Sequence, residues 1–328
     1  MKFKKRNKAI RGVWLICSLL ILGSGGGCKM LSERGAPQER PEIPAEIRGG
    51  AREEPTIRVY MHEHDEVREM EFEKYIEGVV AAEMDNLWPQ EALAAQAIIA
   101  RTYTLQKIAE GKGLDERGAH ASTDPEEFQA YNAARINDRV RKAVRETRGK
   151  VAAYKGQFIR AWFHAYAGPR TALAYEGMGP EEGNPPYIHI VESRGQDIID
   201  PEEANWKAEF PLTRIRTIVI GETGNDPGEI ISVEILEKGP SGRALRIGFN
   251  ESEILAPVLR LRLGSTEMRS TYIDDIKIDG PNLLMSGTGY GHGVGMCQWG
   301  AKAMAQKGDT AENIINYYYR DIQFFNLW

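Results

Sequence analysis

Cysteine is scarce in this chain, with three residues in 328, at positions 17, 28 and 297. Cys17 and Cys28 lie within or beside a leading segment, so Cys297 is the one thiol in the body of the protein and no disulfide framework can staple it. Long apolar runs are also missing. Residues 13–22 form an apolar run of ten, short of the ~20 residues a membrane-spanning helix needs. Nor is there a basic stripe interleaved with aromatics. The formal net charge of −5 falls to −11 without residues 1–27, because that segment carries six basic residues and no acidic one. An acidic body without a basic face excludes nucleic acid as a partner. Glycine-rich phosphate motifs are absent as well: no window of residues 287–308 reads G-x-G-x-x-G, and no Lys-Ser or Lys-Thr follows the glycines.

What is present begins with an address label. A basic stretch, the apolar run and the small residues 23–27 before Cys28 read as an export signal. Cys28 after three glycines resembles a bacterial lipoprotein processing site, with Gly25 where such sites usually carry leucine. Lipidation of Cys28 would anchor the exported protein in a membrane facing the periplasm or cell wall, and plain secretion with cleavage among the glycines is the other reading. Residues 28–55 hold Pro37, Pro41, Pro44 and Pro55, mixed charge and no hydrophobic period, which predicts a disordered tether. It would reach at most about 90 Å and average about 30 Å as a coil. The hydrophobic content of 42% allows residues 56–328 a full core.

Within that body, residues 56–61 and 67–72 read as strands around a charged turn at 62–66. Two helices follow, the first with Tyr75, Val79, Val80 and Met84 on its apolar face, the second starting near Pro89 with Leu93, Ala97, Ala100 and Thr104 down one side. Residues 112–138 read as loop, 151–154 and 158–164 as a hairpin around Lys155-Gly156, and 168–211 as a long irregular segment of functional character. Strands are expected at 215–220, 230–236 and 244–249. Asn250 with Glu253 is expected to cap a helix over 254–263, and Asp309 with Glu312 a last helix through Tyr318. Helices and strands alternate without regular β-α-β spacing, so the fold class is mixed α+β.

The segment 287–308, GTGYGHGVGMCQWGAKAMAQKG, is the most informative. Six of its first fourteen residues are glycine, a density that implies a tight path or close approach to a ligand. From Met296 the pattern becomes helical and stops at Gly308, which puts His292 on a rigid loop entering a helix. This stretch resembles the C-terminal signature of the stage II sporulation protein D and amidase enhancer family. Residues 73–105, EKYIEGVVAAEMDNLWPQEALAAQAIIARTYTL, resemble its N-terminal signature, and weaker matches occur around Trp206 and at 259–272.

The resemblance implies one folded unit with a substrate cleft between two lobes, acting on peptidoglycan glycan strands as a lytic transglycosylase without a cofactor. Glu83 falls on the family's catalytic glutamate. Its sequence neighbours are apolar, a setting that raises a carboxyl pKa and suits a general acid; an exposed helix carboxylate is the structural alternative. Asp85 and Glu77 are too badly spaced on a helix to act as its partner. His292, on the glycine-rich loop, could orient a sugar hydroxyl or serve structure alone; Gln298 and Trp299 could bind an acetamido group and stack on a sugar, or pack. His164 falls on a family histidine, although Ala165-Tyr166-Ala167-Gly168-Pro169 follows where relatives commonly read Ser-Thr-Ser-Gly-Gly. Arg101 and Tyr103 are candidate substrate contacts with structural alternatives of ion pairing and packing.

Some family members carry a Cys-His-Cys cluster before a Gln-x-Tyr motif. Here Thr123, Glu127 and Phe128 stand in those places, so no zinc site of that kind and no other metal is expected. His62-Glu63-His64-Asp65 lacks metal-binding spacing. Cys297 as a peptidase nucleophile is a weak rival, since His292 is too near in sequence to serve as its base. The family also implies the alternative of a non-catalytic modulator that binds glycan or a cell-wall amidase.

Overall fold

The computed structural model describes residues 39–50, 52–111 and 117–328. The expected export signal, Cys28 and the start of the expected tether lie outside them. The packed region begins earlier than Thr56: Ile43 and Ile47 are buried in the core, because a short run with two isoleucines four apart can cover an apolar surface despite its prolines and charges. None of the described helices is long and apolar enough to cross a membrane.

Strand β1 (Thr56–Met61) pairs antiparallel with β2 (Glu66–Glu71), and β3 (Ala121–Ser122) lies parallel to β1 on its other edge. Helix α1 (Phe72–Glu83) follows at once, then α2 (Gln90–Ala109), which starts after Pro89. α2 is rich in alanine for a reason visible in its packing. It touches α1, α3 (Asp138–Glu146), β4 (Lys150–Tyr154), and two later helices, α8 and α9, so nearly its whole circumference is buried and small side chains let backbones approach. β4 is flanked by β5 (Gln157–Phe158) and the terminal β14 (Gln323–Asn326).

The expected hairpin ends at Phe158. Residues 163–164 form β6, which pairs in parallel with β13 (Met296–Cys297), 133 residues away in sequence, not with β4. The long segment after it contains two one-turn helices, α4 (Ala174–Gly177) and α5 (Pro201–Ala204), and ends in a regular strand, β7 (Asn205–Pro211).

Residues 206–285 build a second hydrophobic core, inserted between the halves of the first. Its two sheets have the orders β11-β12-β7 and β10-β9-β8, with α6 (Leu212–Thr223) and α7 (Ala256–Leu263) packed on them. The strands are β8 (Val233–Lys238), β9 (Ala244–Phe249), β10 (Ser252–Leu255), β11 (Ile273–Asp279) and β12 (Asn282–Thr288). The expected strand at 215–220 is the middle of α6. Its β-branched run buries only Ile215 and Val219, four residues apart, and Gly224 in the left-handed region ends it, so the helical period overrides the β propensity. The expected cap at Asn250 also fails: Asn250 has φ +51 in the turn from β9 to β10, where its side chain accepts from the amides of Ile231 and Ser232. α7 begins only at Ala256. Phe210 and Phe249 are fully buried in this core, and either truncated to alanine would cost roughly 3–5 kcal/mol.

The chain then returns to the first core through the glycine-rich loop, β13, α8 (Gln298–Gln306) and α9 (Ala311–Tyr318). The last helix is capped by Thr310, whose hydroxyl accepts from the Asn313 amide, one residue after the expected Asp309. The fold is α+β, as the alternation of elements implies.

Candidate functional site

Glu83 is the last residue of α1, which stops because Met84 turns extended and buries its side chain. The carboxylate therefore belongs to the end of the helix, at a residue that is only partly exposed. Its Oε1 accepts from the main-chain N–H of Ala130 at 2.8 Å. Burial pushes the Glu83 pKa up from 4.5 to about 7, against the opposing pull of that Ala130 hydrogen bond. No ion pair to Glu83 occurs among the described residues. Ala130 is held in turn by its neighbours. Gln129 donates to Thr104 at 3.0 Å, and Tyr131 stacks on Tyr75 with ring centroids 6.0 Å apart. A Cβ on Gly78 would lie 2.1 Å from the Tyr131 ring, so only glycine allows the tyrosine to cross α1 there. Asp85 is spent on the turn, accepting from the Leu87 amide, and Glu77 pairs with Lys74.

Two cavities share Glu83 in their walls. The first, of about 560 Å³, also has Tyr103, Phe128, Trp162, Arg260 and His292. The second, of about 450 Å³, has Trp88, Tyr166, Arg269, Tyr290, Gln298, Trp299 and Lys302. Glu83 thus borders both. In the second cavity Trp88 and Trp299 meet at 5.0 Å between centroids, and the Lys302 ammonium lies 4.1 Å from the Trp299 ring and 4.8 Å from that of Trp88. This is an aromatic shelf with a cation on it, of a kind that can carry a sugar face. Tyr103 packs edge-on to Phe128 at 5.6 Å, and burial raises its hydroxyl pKa.

The glycine-rich loop reaches this site by a tight path. Gly289, Gly291, Gly293 and Gly295 all have positive φ. The close approaches they permit are to the protein itself. A Cβ on Gly293 would come 2.3 Å from the Arg243 guanidinium, and one on Gly295 2.1 Å from the Trp162 carbonyl oxygen. Arg243, fully buried, donates to the carbonyls of Ala167 and Arg170, tying the second core to the loop and to residues 165–170. His292 emerges from the loop into the first cavity. Its Nδ1 accepts from the Val294 amide at 3.1 Å, and desolvation, with Arg260 nearby, pulls its pKa down to about 3. It is a neutral imidazole.

Four expected site residues, His292, Gln298, Trp299 and Tyr103, line the cavities beside Glu83. Gln298 also donates to the Glu83 carbonyl at 3.0 Å, so α8 supports the end of α1. Two do not reach them. Arg101 is fully buried and forks onto Glu73 at 3.0 and 2.6 Å, with a third bond to the Lys150 carbonyl; its expected contact with substrate is replaced by a structural ion pair. His164 is buried under the loop, its Nδ1 donating to the Val294 carbonyl and its ring 5.6 Å from that of His292. It supports His292 from below. The segment after it, where hydroxyls are missing, contributes Ala165 and Tyr166 to the second cavity wall. The positions of the absent metal cluster have other work: Thr123 accepts from the His62 amide, Glu127 pairs with Arg117, and Phe128 packs on Tyr103. Cys297 is buried and accepts from the Gly300 amide as the cap of α8.

Trp88, Lys302 and Arg260 were not legible as site residues. Trp88 lies within the N-terminal signature, Lys302 is one turn beyond Trp299, and Arg260 falls in the weaker match at 259–272, so spacing from recognised positions could have flagged all three.

The sequence model of the SpoIID family, stage II sporulation protein, matches residues 60–154. An uncharacterized protein of Brachyspira hyodysenteriae is 30% identical over 257 residues, covering 78% of this chain and 67% of that protein. The stage II sporulation protein D of Bacillus subtilis is 27% identical over 297 residues, 82% of this chain and 78% of that one. The amidase enhancer of Bacillus subtilis is 28% identical over 287 residues, 74% of this chain but 39% of its own length. With both signatures, the cavities around Glu83 and a relative matched over two thirds of its length, the chain belongs to the stage II sporulation protein D family.

Proposed function

We propose that this protein is a peptidoglycan lytic transglycosylase with Glu83 as its acid and then its base. The observation that supports the reading is Glu83 in the walls of two cavities, with a carboxyl pKa raised to about 7 and one oxygen fixed by Ala130. A strand crossing both cavities would present a glycosidic bond to it. The protonated carboxyl gives its proton to the oxygen between N-acetylmuramic acid and N-acetylglucosamine as the C1–O bond breaks. The same group, now a carboxylate, removes the proton from the C6 hydroxyl of the muramyl unit, and O6 closes onto C1 to give the 1,6-anhydro product. One carboxyl that is half protonated near neutral pH suits both steps, and no second carboxylate or attacking water is called for, unlike hydrolysis. His292, held neutral with Nδ1 accepting from Val294, carries its proton on Nε2 and would donate it to a sugar hydroxyl oxygen, and Trp88 and Trp299 would carry a ring. Residues 1–27 would direct export, Cys28 would carry the lipid, and the protein would work at the cell wall.

The similarity to an amidase enhancer supports a second reading, a glycan-bound modulator of a cell-wall amidase. Incubating the protein and its Glu83→Gln variant with purified glycan strands, with and without stem peptides, and weighing the products separates them. Anhydro-muramyl ends from the parent alone are expected; binding by both without cleavage would refute catalysis and leave the modulator.

A further inference from the structure

The first cavity holds several charges, and most are matched within the protein. Arg160 donates to Glu182 at 2.9 Å and lies 3.6 Å from Glu110, while Glu127 takes Arg117 at 2.6 Å. Arg260, in the last turn of α7, differs. It is 8% exposed, and its Nε donates to the Arg269 carbonyl at 3.1 Å. Its two terminal nitrogens have no hydrogen-bond or carboxylate partner among the described residues, and they are not sealed off from the cavity they line. The charged and titratable groups that feel its charge are His292 and His164, the Arg243 guanidinium and the Tyr290 phenol, none of them an anion at neutral pH. Desolvation pulls its pKa down to about 10, which leaves it cationic at neutral pH. A guanidinium taken out of water without an anion is costly, and its planar fork matches a carboxylate.

We infer that Arg260 is a binding residue for a carboxylate of the substrate, which would place a muramyl unit in the first cavity. The inference rests on the glycan reading above. N-acetylglucosamine carries no carboxylate. A muramyl unit offers one on its lactyl group once the stem peptide is gone, or those of the peptide while it remains. Both sources supply the same chemistry, and both would fork onto the terminal nitrogens in the same cavity as the Glu83 acid.

The test measures binding to the full chain carrying Glu83→Gln, so that no ligand is consumed. The ligands are glycan strands stripped of stem peptides, strands that retain them, stripped strands with methyl-esterified carboxylates, and a neutral tetramer of N-acetylglucosamine. Esterification is expected to weaken binding about tenfold, the scale of a lost charge-assisted hydrogen bond, while the tetramer matches the esterified strand. Adding Arg260→Gln is expected to remove that tenfold difference and leave tetramer affinity unchanged, which also shows that the variant is folded. A preference confined to strands with stem peptides would assign the carboxylate to the peptide instead of the lactyl group. Equal binding of peptide-bearing, stripped and esterified strands by the starting protein, or a difference that survives Arg260→Gln, overturns the inference even if Arg260 matters for folding. The outcome does not depend on cleavage: if the parent cuts no strand, catalysis fails while the carboxylate preference stands or falls separately.

Discussion

Replacing Glu83 with glutamine should remove activity and, at the same time, stabilise the fold at alkaline pH. In the folded protein the carboxyl titrates near 7, in the unfolded chain near 4.5. Between those values the native state holds more protons than the unfolded state, so stability from this group is full below pH 4.5 and is lost as pH rises through 7. The separation of about 2.5 pKa units corresponds to roughly 3 kcal/mol. Glutamine imitates the protonated acid and keeps an oxygen for the Ala130 amide, so it escapes that loss. Urea unfolding of parent and variant at a series of pH values from 4 to 9 gives the difference directly. The variant should gain about 3 kcal/mol relative to the parent across that span at equal m-value, while kcat falls by two to four orders of magnitude. In the parent, kcat/KM should decline above pH 7 as the acid is lost. A stability difference that does not change with pH would show that Glu83 has an ordinary pKa, and the acid-then-base reasoning would lose its physical basis.

Arg101→Met should destabilise the protein by about 3–5 kcal/mol, since it strands the Glu73 carboxylate in the interior; glycan affinity of the folded fraction should stay unchanged, and a selective loss of affinity would restore Arg101 to the binding surface. The His292 ring signals, followed by NMR, should show no titration between pH 5 and 8, because its pKa is near 3. Gly78→Ala should lower stability by about 1–3 kcal/mol by pushing the Tyr131 ring off α1, and activity should fall with it because Ala130 moves; denaturant and turnover measurements on the same sample check both. Cys297, buried and engaged at the start of α8, should resist a thiol reagent in native buffer and react at once in denaturant, with activity retained until unfolding.

The sequence was most readable where the signal was local. The β1–β2 hairpin, both helices of the N-terminal signature and β9 follow from period, turn residues and proline placement. It was least readable where packing overrode propensity, as in α6, whose Ile and Val run looks like a strand until the second core selects two residues four apart. The strand pairing of residues 163–164 with 296–297 could not be read at all, because no local pattern records a parallel partner 133 residues away.

By itself the sequence determined an acidic composition, an α+β alternation, two family signatures and one glutamate in an apolar setting. Composition and short-range order suffice for each of these. The tertiary structure alone decided which polar groups are spent on the protein and which are left for a ligand. Arg101 and His164 look like site residues in sequence but are consumed by Glu73 and by the loop carbonyl of Val294. Arg260, within the weaker match at 259–272 but not singled out there, is left buried with its terminal nitrogens unpaired among the described residues. Burial and partnership depend on the sum of long-range contacts: Arg101 finds Glu73, and His164 the Val294 carbonyl, within the first core, while Arg260 comes to the cavity lined by Glu83 from α7 of the second.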